Sequence, residues 1–256
     1  MGLYFEFCRK SFLEKYTFRF DFFLSIVGGF LSILVQMSMW EVLYNGKSEL
    51  KGFSLFDMMN YVMICLVIGS ITSSRTGTKI ASKVHSGGII SDLSKPINFK
   101  FYLWAEDLGE NSFRFVFSVL PVMLLTTLCY GFFIEVKFVN LIFFIVSIIL
   151  GAGLAFHINY LIGLLAFWLK NSWYVSWFLT AFQALFSGSK IPLWFYPDIL
   201  YRVTEFLPFR YVFFDPLTIY LEKVSYTDAL GILFIQAVWL VVLVFLEKIV
   251  WFSVQK

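Results

Sequence analysis

Two histidines, three cysteines and seventeen acids are all that this 256-residue chain offers for acid–base, nucleophilic or metal chemistry. No H-E-x-x-H pair and no paired-carboxylate motif joins His85 or His157 to an acid. Cys8, Cys65 and Cys129 are odd in number and far apart, which fits neither a disulfide framework nor a zinc site. GTKIASK at 77–83 and GSKIP at 188–192 hold Gly and Lys but lack the G-x-x-x-x-G-K-[ST] spacing that cradles phosphates. What remains is recognition: hydrogen bonding by neutral polar side chains, and docking through punctuated loops.

The neutral polar residues are patterned. Within residues 22–40, Ser25, Gly29, Ser32 and Gln36 follow one another at four, three and four. Within 171–189, Ser172, Ser176, Thr180, Gln183 and Ser187 repeat at four, four, three and four. Each set draws one stripe along a helix face. Ser147, Gly151, Ala155, Asn159 and Gly163 stand at strict fours and form a small-residue face suited to close packing. All three stripes fit helix contacts inside one subunit. The alternative is that the first and fifth runs line a subunit interface or a polar route, with Gln36 and Gln183 exposed to it. Only His157 is ionisable within the six apolar runs, which argues against an ion-coupled carrier. A lone histidine there reads as a hydrogen-bonded structural residue.

The elements that carry these stripes follow from composition. The chain is 59% hydrophobic and 14% charged, against about 25% charge in a soluble domain. An all-α integral membrane protein is the reading. Six uncharged runs, 22–40, 58–74, 115–134, 138–169, 171–189 and 229–246, have the length needed to cross ~30 Å of hydrocarbon. The fourth is too long and must tilt, kink or project. A net charge of +3 is too small to call for nucleic acid. Six spans put both termini on one side. Thirteen Lys and Arg against seven make that side cytoplasmic. Residues 1–21 mix Phe, Leu and Tyr with Arg and Lys, as an interfacial helix or a basic flank would. The first run follows no small-residue cleavage site and reads as a retained span.

Two segments are not spans. The 75–114 loop is far longer than a connector needs to be. Gly87-Gly88 punctuates it, 89–94 is too short for an ordinary helix, and Pro96 follows. In FKFYLWAEDLGE, Phe101, Tyr102, Ala105 and Leu108 oppose Glu106, Asp107 and Glu110, an amphipathic surface helix leading to the third span. The 190–228 segment holds Pro197-Asp198, then Ile199, Leu200, Val203 and Leu207 at helical spacing, then Pro208, and later Asp215-Pro216. Two short helices lying in or dipping into the outer interface fit it.

These segments carry a family likeness. The pattern V-x-S-G-x-I-x-x-D-L-x-K-P is matched by Val84, Ser86, Gly87 with the extra Gly88, Ile90, Asp92, Leu93, Lys95 and Pro96. SGSKIPLWFYPDIL, EFLPF and DPLTIYL follow in order. Together they resemble the membrane subunits of type-2 ABC exporters, six-span permeases of the antibiotic or multidrug kind. The resemblance implies a chain that binds no cofactor, with ATP and Mg on cytoplasmic ABC ATPase subunits. It implies that Val84, Gly87, Gly88, Asp92, Leu93, Lys95 and Pro96 dock the ATPase: Gly87 for the turn, Asp92 to cap or pair, Leu93 to insert, Pro96 to end the helix. It implies that Ser25, Gly29, Ser32, Gln36, Ser176, Thr180, Gln183 and Ser187 face a second permease, identical or a sister chain, across the route. Pro192, Pro197, Leu207, Pro208 and Pro216 would belong to an outer gate. Glu222 departs from the pattern, standing where relatives commonly have glycine. The implied function is export of an amphipathic or hydrophobic solute across a bacterial cytoplasmic membrane, in contact with its lipids. The residues also leave open a polytopic enzyme acting on lipids, or a non-transporting scaffold.

Overall fold

A computed structural model describes residues 2–16, 19–131, 137–169 and 173–254, with the backbone course alone for 19–21 and 173–176. Helix α1 (Leu3–Tyr16) is followed by α2 (Arg19–Tyr44) and a two-residue hairpin, β1 (Glu49–Leu50) and β2 (Phe53–Ser54), in the register Glu49↔Ser54 and Leu50↔Phe53. Helix α3 (Leu55–Thr72) starts three residues before the apolar run, because Ser54 and Asp57 form a capping box. The Asp57 amide donates to Ser54 Oγ at 3.1 Å and the Ser54 amide to Asp57 Oδ2 at 3.0 Å. A break at 73–75 leads to α4 (Thr76–His85), α5 (Ile89–Leu93) and α6 (Phe99–Arg114), the last capped by Asn98.

Helix α6 does not stop at the third span. It passes through a π-helical turn, Phe115–Val119, directly into α7 (Leu120–Tyr130). The amphipathic surface helix and the span are therefore one rod, Phe99–Tyr130. Pro121 gives no amide to the ladder and its ring crowds the turn before it, and the widened turn absorbs both. Beyond come α8 (Phe138–Leu164), which ends in a 3-10 turn at Leu165–Phe167, and α9 (Trp173–Phe186). Then follow α10 (Asp198–Glu205), α11 (Phe214–Tyr220) and α12 (Tyr226–Val254). Among the described residues, five helical rods are long and apolar enough to cross a membrane, and α9 adds a shorter apolar helix. The protein is an all-α membrane protein of about six spans.

Helix α8 is the central post. Its small-residue stripe is a packing seam within the subunit: Gly163 meets Ile80 and Gly77 of α4, and Gly151 faces the Tyr211 and Val212 carbonyls. Leu154, Val212 and Leu243 close one part of the core, and Ile80, Leu103, Phe156 and Leu164 another. Val35, Leu128, Ile149, Trp177, Phe234 and Val241 remain exposed on outward faces, as lipid-facing side chains would. Helix α1 lies on α6 so closely that a methyl group at Gly109 would stand 2.2 Å from the Cys8 carbonyl oxygen.

The segment after α9 dips deeply. Val212 abuts α8 at Gly151, about 20 Å along the helix from its first residue. Backbone at that depth needs partners. Buried Gln236 supplies one, its amide nitrogen donating to Tyr211 O at 2.7 Å and Ser147 O at 3.1 Å. Arg210 and Asp215 tie the turn with a buried fork, Nη2 to Oδ1 at 2.9 Å and Nε to Oδ2 at 3.0 Å. Glu222 closes α11 in the left-handed region at φ 56°, with the Lys223 amide on Thr218 O and its own amide on Ile219 O. That is the Schellman geometry glycine usually serves. Here the Glu222 carboxylate takes the Lys137 amide at 3.0 Å and ammonium at 2.8 Å, which offsets the strain.

Candidate functional site

At one end of the bundle, α4 turns into α5 through Gly87, whose φ of 74° suits a residue without Cβ. Asp92 is buried and accepts from both Lys83 and Lys95, the second at 2.6 Å. Both ammoniums also lie over the Tyr102 ring, at 5.4 and 5.7 Å. Of the two roles foreseen for Asp92, pairing is the one it plays. Burial would raise its carboxyl, but the two lysines outweigh that and hold it below the ordinary carboxylate range. Val84 is half-buried against the Ile80–Leu103 cluster. Gly88, Leu93, Lys95 and Pro96 are exposed, and α5 ends at Leu93, ahead of Pro96. Ile90, 70% exposed, shares the outward face with Leu93. The i, i+3 spacing of these two was the available signal for it.

Behind this segment, α6 grips the break between α3 and α4. Asn111 donates to Ile71 O at 2.9 Å and Ser73 O at 2.7 Å. Asp107 accepts from Ser74 and, at 2.7 Å, from Thr76. Asp107 is therefore buried, whereas the amphipathic pattern assigns it to the polar face, and Phe101 and Leu108 of the apolar face are exposed. Partners more than thirty residues away decide the matter. Lys79 bridges Glu106, Asp107 and Glu110, the last at 2.9 Å. Burial would lower Lys79, but the three acids around it raise it above its ordinary value.

Between α2 and α9, with α3 as the floor, run three joined clefts. The first, about 580 Å³, is lined by Ser25, Gly29, Arg75 and Arg114 among others. The second, about 300 Å³, includes Gly29, Ser32, Gln36, Arg114 and Lys190. The third, about 570 Å³, includes Arg75, Asn159, Thr180 and Gln183 beneath Val212 and Phe213. Gly29 and Arg114 belong to the first and second, Gly69 and Phe213 to the second and third, and Arg75 to the first and third. The α2 stripe thus lines the first and second clefts, and Thr180 and Gln183 of α9 line the third, which adjoins the other two through Gly69, Arg75 and Phe213. Three stripe residues also have partners within the chain: Ser25 meets Ser118, on the π-helical turn, at 2.8 Å, and Gln36 folds back on Ser32 at 3.2 Å. Ser187 is buried, its carbonyl accepting from the Phe214 amide at 3.1 Å. Ser172 and the side chain of Ser176 lie outside the described residues.

The family described as ABC-2 family transporter protein matches residues 30–256, nearly the whole chain. The chain belongs to that family. Curated proteins and solved structures yield no match. As an ABC-2 family member it is the membrane component of an ABC transporter, a multi-pass permease whose family association is with an ABC ATPase.

In this ABC-2 permease the five residues assigned to an outer gate are spread along the dipping segment. Pro192 and Pro216 are buried, Leu207 and Pro208 half-buried, and Pro197 exposed at the start of α10. None lines the three clefts, whose far end is bounded by Ser189, Lys190 and Phe213. His157 is not isolated: its Nδ1 meets Glu247 Oε1 at 2.6 Å, and Glu247 also takes Lys100. The sixth run stops at the charge of residue 247, but α12 continues to Val254 and buries it. That pairing joins α6, α8 and α12 and leaves no local trace in sequence.

Proposed function

We propose that this ABC-2 chain is the permease of an ATP-driven exporter in a bacterial cytoplasmic membrane, both termini inside. Two permease chains, this one with a copy or a sister, face each other across the groove bordered by α2 and α9. The observation that carries the reading is that groove: the α2 stripe lines two clefts, Thr180 and Gln183 of α9 line a third, and the three share lining residues. An amphipathic or hydrophobic solute passes along it.

The ATPase engages the 84–96 segment, with Leu93 and Ile90 inserted and the Lys83–Asp92–Lys95 tie holding them outward. ATP and Mg belong to that partner; this chain supplies only the surface. When the ATPase subunits close, they push α4 and α5. Asp107 and Asn111 pass the displacement to the end of α3, which forms the groove floor. Motion of packed helices as rigid bodies then opens or closes the route. The dipping 190–228 segment blocks its outer end until α3 moves.

The test is a mild-detergent pull-down of the chain from its native cells, with mass spectrometry of what accompanies it. A stoichiometric cytoplasmic ATPase is expected, and it is lost when Leu93→Asp places a charge on the docking face. A chain that purifies with no ATPase while the membrane complex stays intact would sink the reading.

A further inference from the structure

The walls of the clefts carry four cations and one acid among the described residues. Arg75, Arg114 and Lys15 line the first cleft, Arg114 and Lys190 the second, and Arg75 the third. Among the described residues the acid on these walls is Glu110, and it is already engaged by Lys79 at 2.9 Å and Lys15 at 3.6 Å. No ion pair among the described residues involves Arg75, Arg114 or Lys190. Arg75 and Lys190 are exposed and Arg114 half-buried, and Glu110 acts on both arginines without a direct ion pair. Four cations against one acid still leave these walls net positive, and charged groups bordering a membrane-protein cavity mark the path of a charged ligand. An apolar wall is present: Phe22, Leu66, Phe113, Val119 and Val122 line the same cleft as the two arginines. A guanidinium is planar and matches the oxygens of a phosphate or carboxylate two at a time.

We propose that the Arg75–Arg114 cleft binds the anionic head group, phosphate or carboxylate, of an amphipath whose apolar chain lies on the neighbouring wall. On the export reading, this makes the cargo an anionic amphipath; the head-group site itself does not depend on that reading. Surface attraction by basic flanks is a separate effect, and it would act equally through exposed lysines outside the cleft, such as Lys10 on α1.

The experiment uses the full-length chain with its co-purifying partners in an uncharged detergent. Fluorescently labelled dodecyl phosphate is the probe, and the same chain with a trimethylammonium head is its cationic counterpart. The phosphate probe is expected to bind at least tenfold more tightly. Arg75→Gln and Arg114→Gln are each expected to weaken it about tenfold, about 1.4 kcal/mol. Arg114→Lys should retain most of the affinity and Lys10→Gln all of it. Millimolar inorganic phosphate should leave the probe bound. Equal binding of the two heads, an equal loss in Lys10→Gln, or full displacement by inorganic phosphate would each overturn the proposal. Should Arg114→Gln fail to fold, Arg75→Gln, at an exposed position, reads the same contribution. A complex that prefers the phosphate probe but contains no ATPase would sink the export reading alone. One that holds its ATPase and shows no preference would sink the head-group site alone.

Discussion

Asp92 restrains two lysines with one buried carboxylate, and that tie holds together the 84–96 segment proposed to dock the ATPase. Its carboxyl is held below the ordinary range, so its contribution is complete above the unfolded value of about 3.9 and fades as pH falls through the lower, folded value. Between pH 5 and 8 the tie is intact, and substitution is the practical way to remove it. Asp92→Asn should cost about 1 kcal/mol of local order, since Lys95 is largely solvated. Tryptic cleavage at Lys83 should then rise about fivefold at pH 7, while the Lys95–Pro96 bond resists trypsin in either chain. The unaltered chain should show no pH-dependent change in its susceptibility to cleavage between pH 5 and 8. An unchanged cleavage rate in the variant would remove Asp92 from the account. The residue types at 84–96 are legible from sequence because the motif is local. The Tyr102 platform under both lysines is not, since it arrives from α6.

Helices transmit force where they are joined, and on the proposed reading the join that couples the 84–96 segment to α3 is the 73–75 break. Asn111→Leu leaves the Ile71 and Ser73 carbonyls without their partner, at a cost of about 1–3 kcal/mol. The docking face is untouched, so the ATPase should stay bound. Maleimide labelling of a cysteine at Ser70, on the groove floor, should change with ATP and vanadate in the otherwise unaltered chain and stop responding in Asn111→Leu. A response that persists would mean that force reaches α3 by another way. The dipping segment depends on a different join. Asp215→Ala leaves Arg210 buried without its partner and should destabilise the protein by about 3–5 kcal/mol. The double change Arg210→Met with Asp215→Leu should recover most of the lost unfolding temperature in detergent. If the double variant is no better than the single, the pair does more than hold the turn.

At the scale of the whole molecule, Ser25 and Ser32 of α2 are exposed beside the clefts, while Ile149 of α8 and Val241 of α12 present exposed apolar side chains. On the proposed reading a second permease covers the clefts on the α2 side and comes near Ser32, which is exposed and lines the second cleft. Ser32→Cys should cross-link to a second permease chain under mild oxidation in native membranes. Val241→Cys, equally exposed but on α12, should not. The reverse result would move the interface to the α12 face and leave the groove facing lipid.

Composition, run length and three- or four-residue spacing determined, from the sequence alone, that this is a helical membrane protein of about six spans with two polar stripes. Those properties belong to single segments, where side-chain direction follows from helix geometry. What pairs across segments was decided only by the tertiary structure. Glu247 stays inside a helix because His157 and Lys100 meet it there. Asp107 is buried because Ser74 and Thr76 face it. The 210–213 turn reaches deep along α8 because Gln236 satisfies its carbonyl. Even the net positive charge of the clefts depends on bringing Arg75, Arg114 and Lys190 to their walls from three separate parts of the chain. A polar or charged group settles where its partner is, and in a bilayer the penalty for lacking one outweighs any local preference.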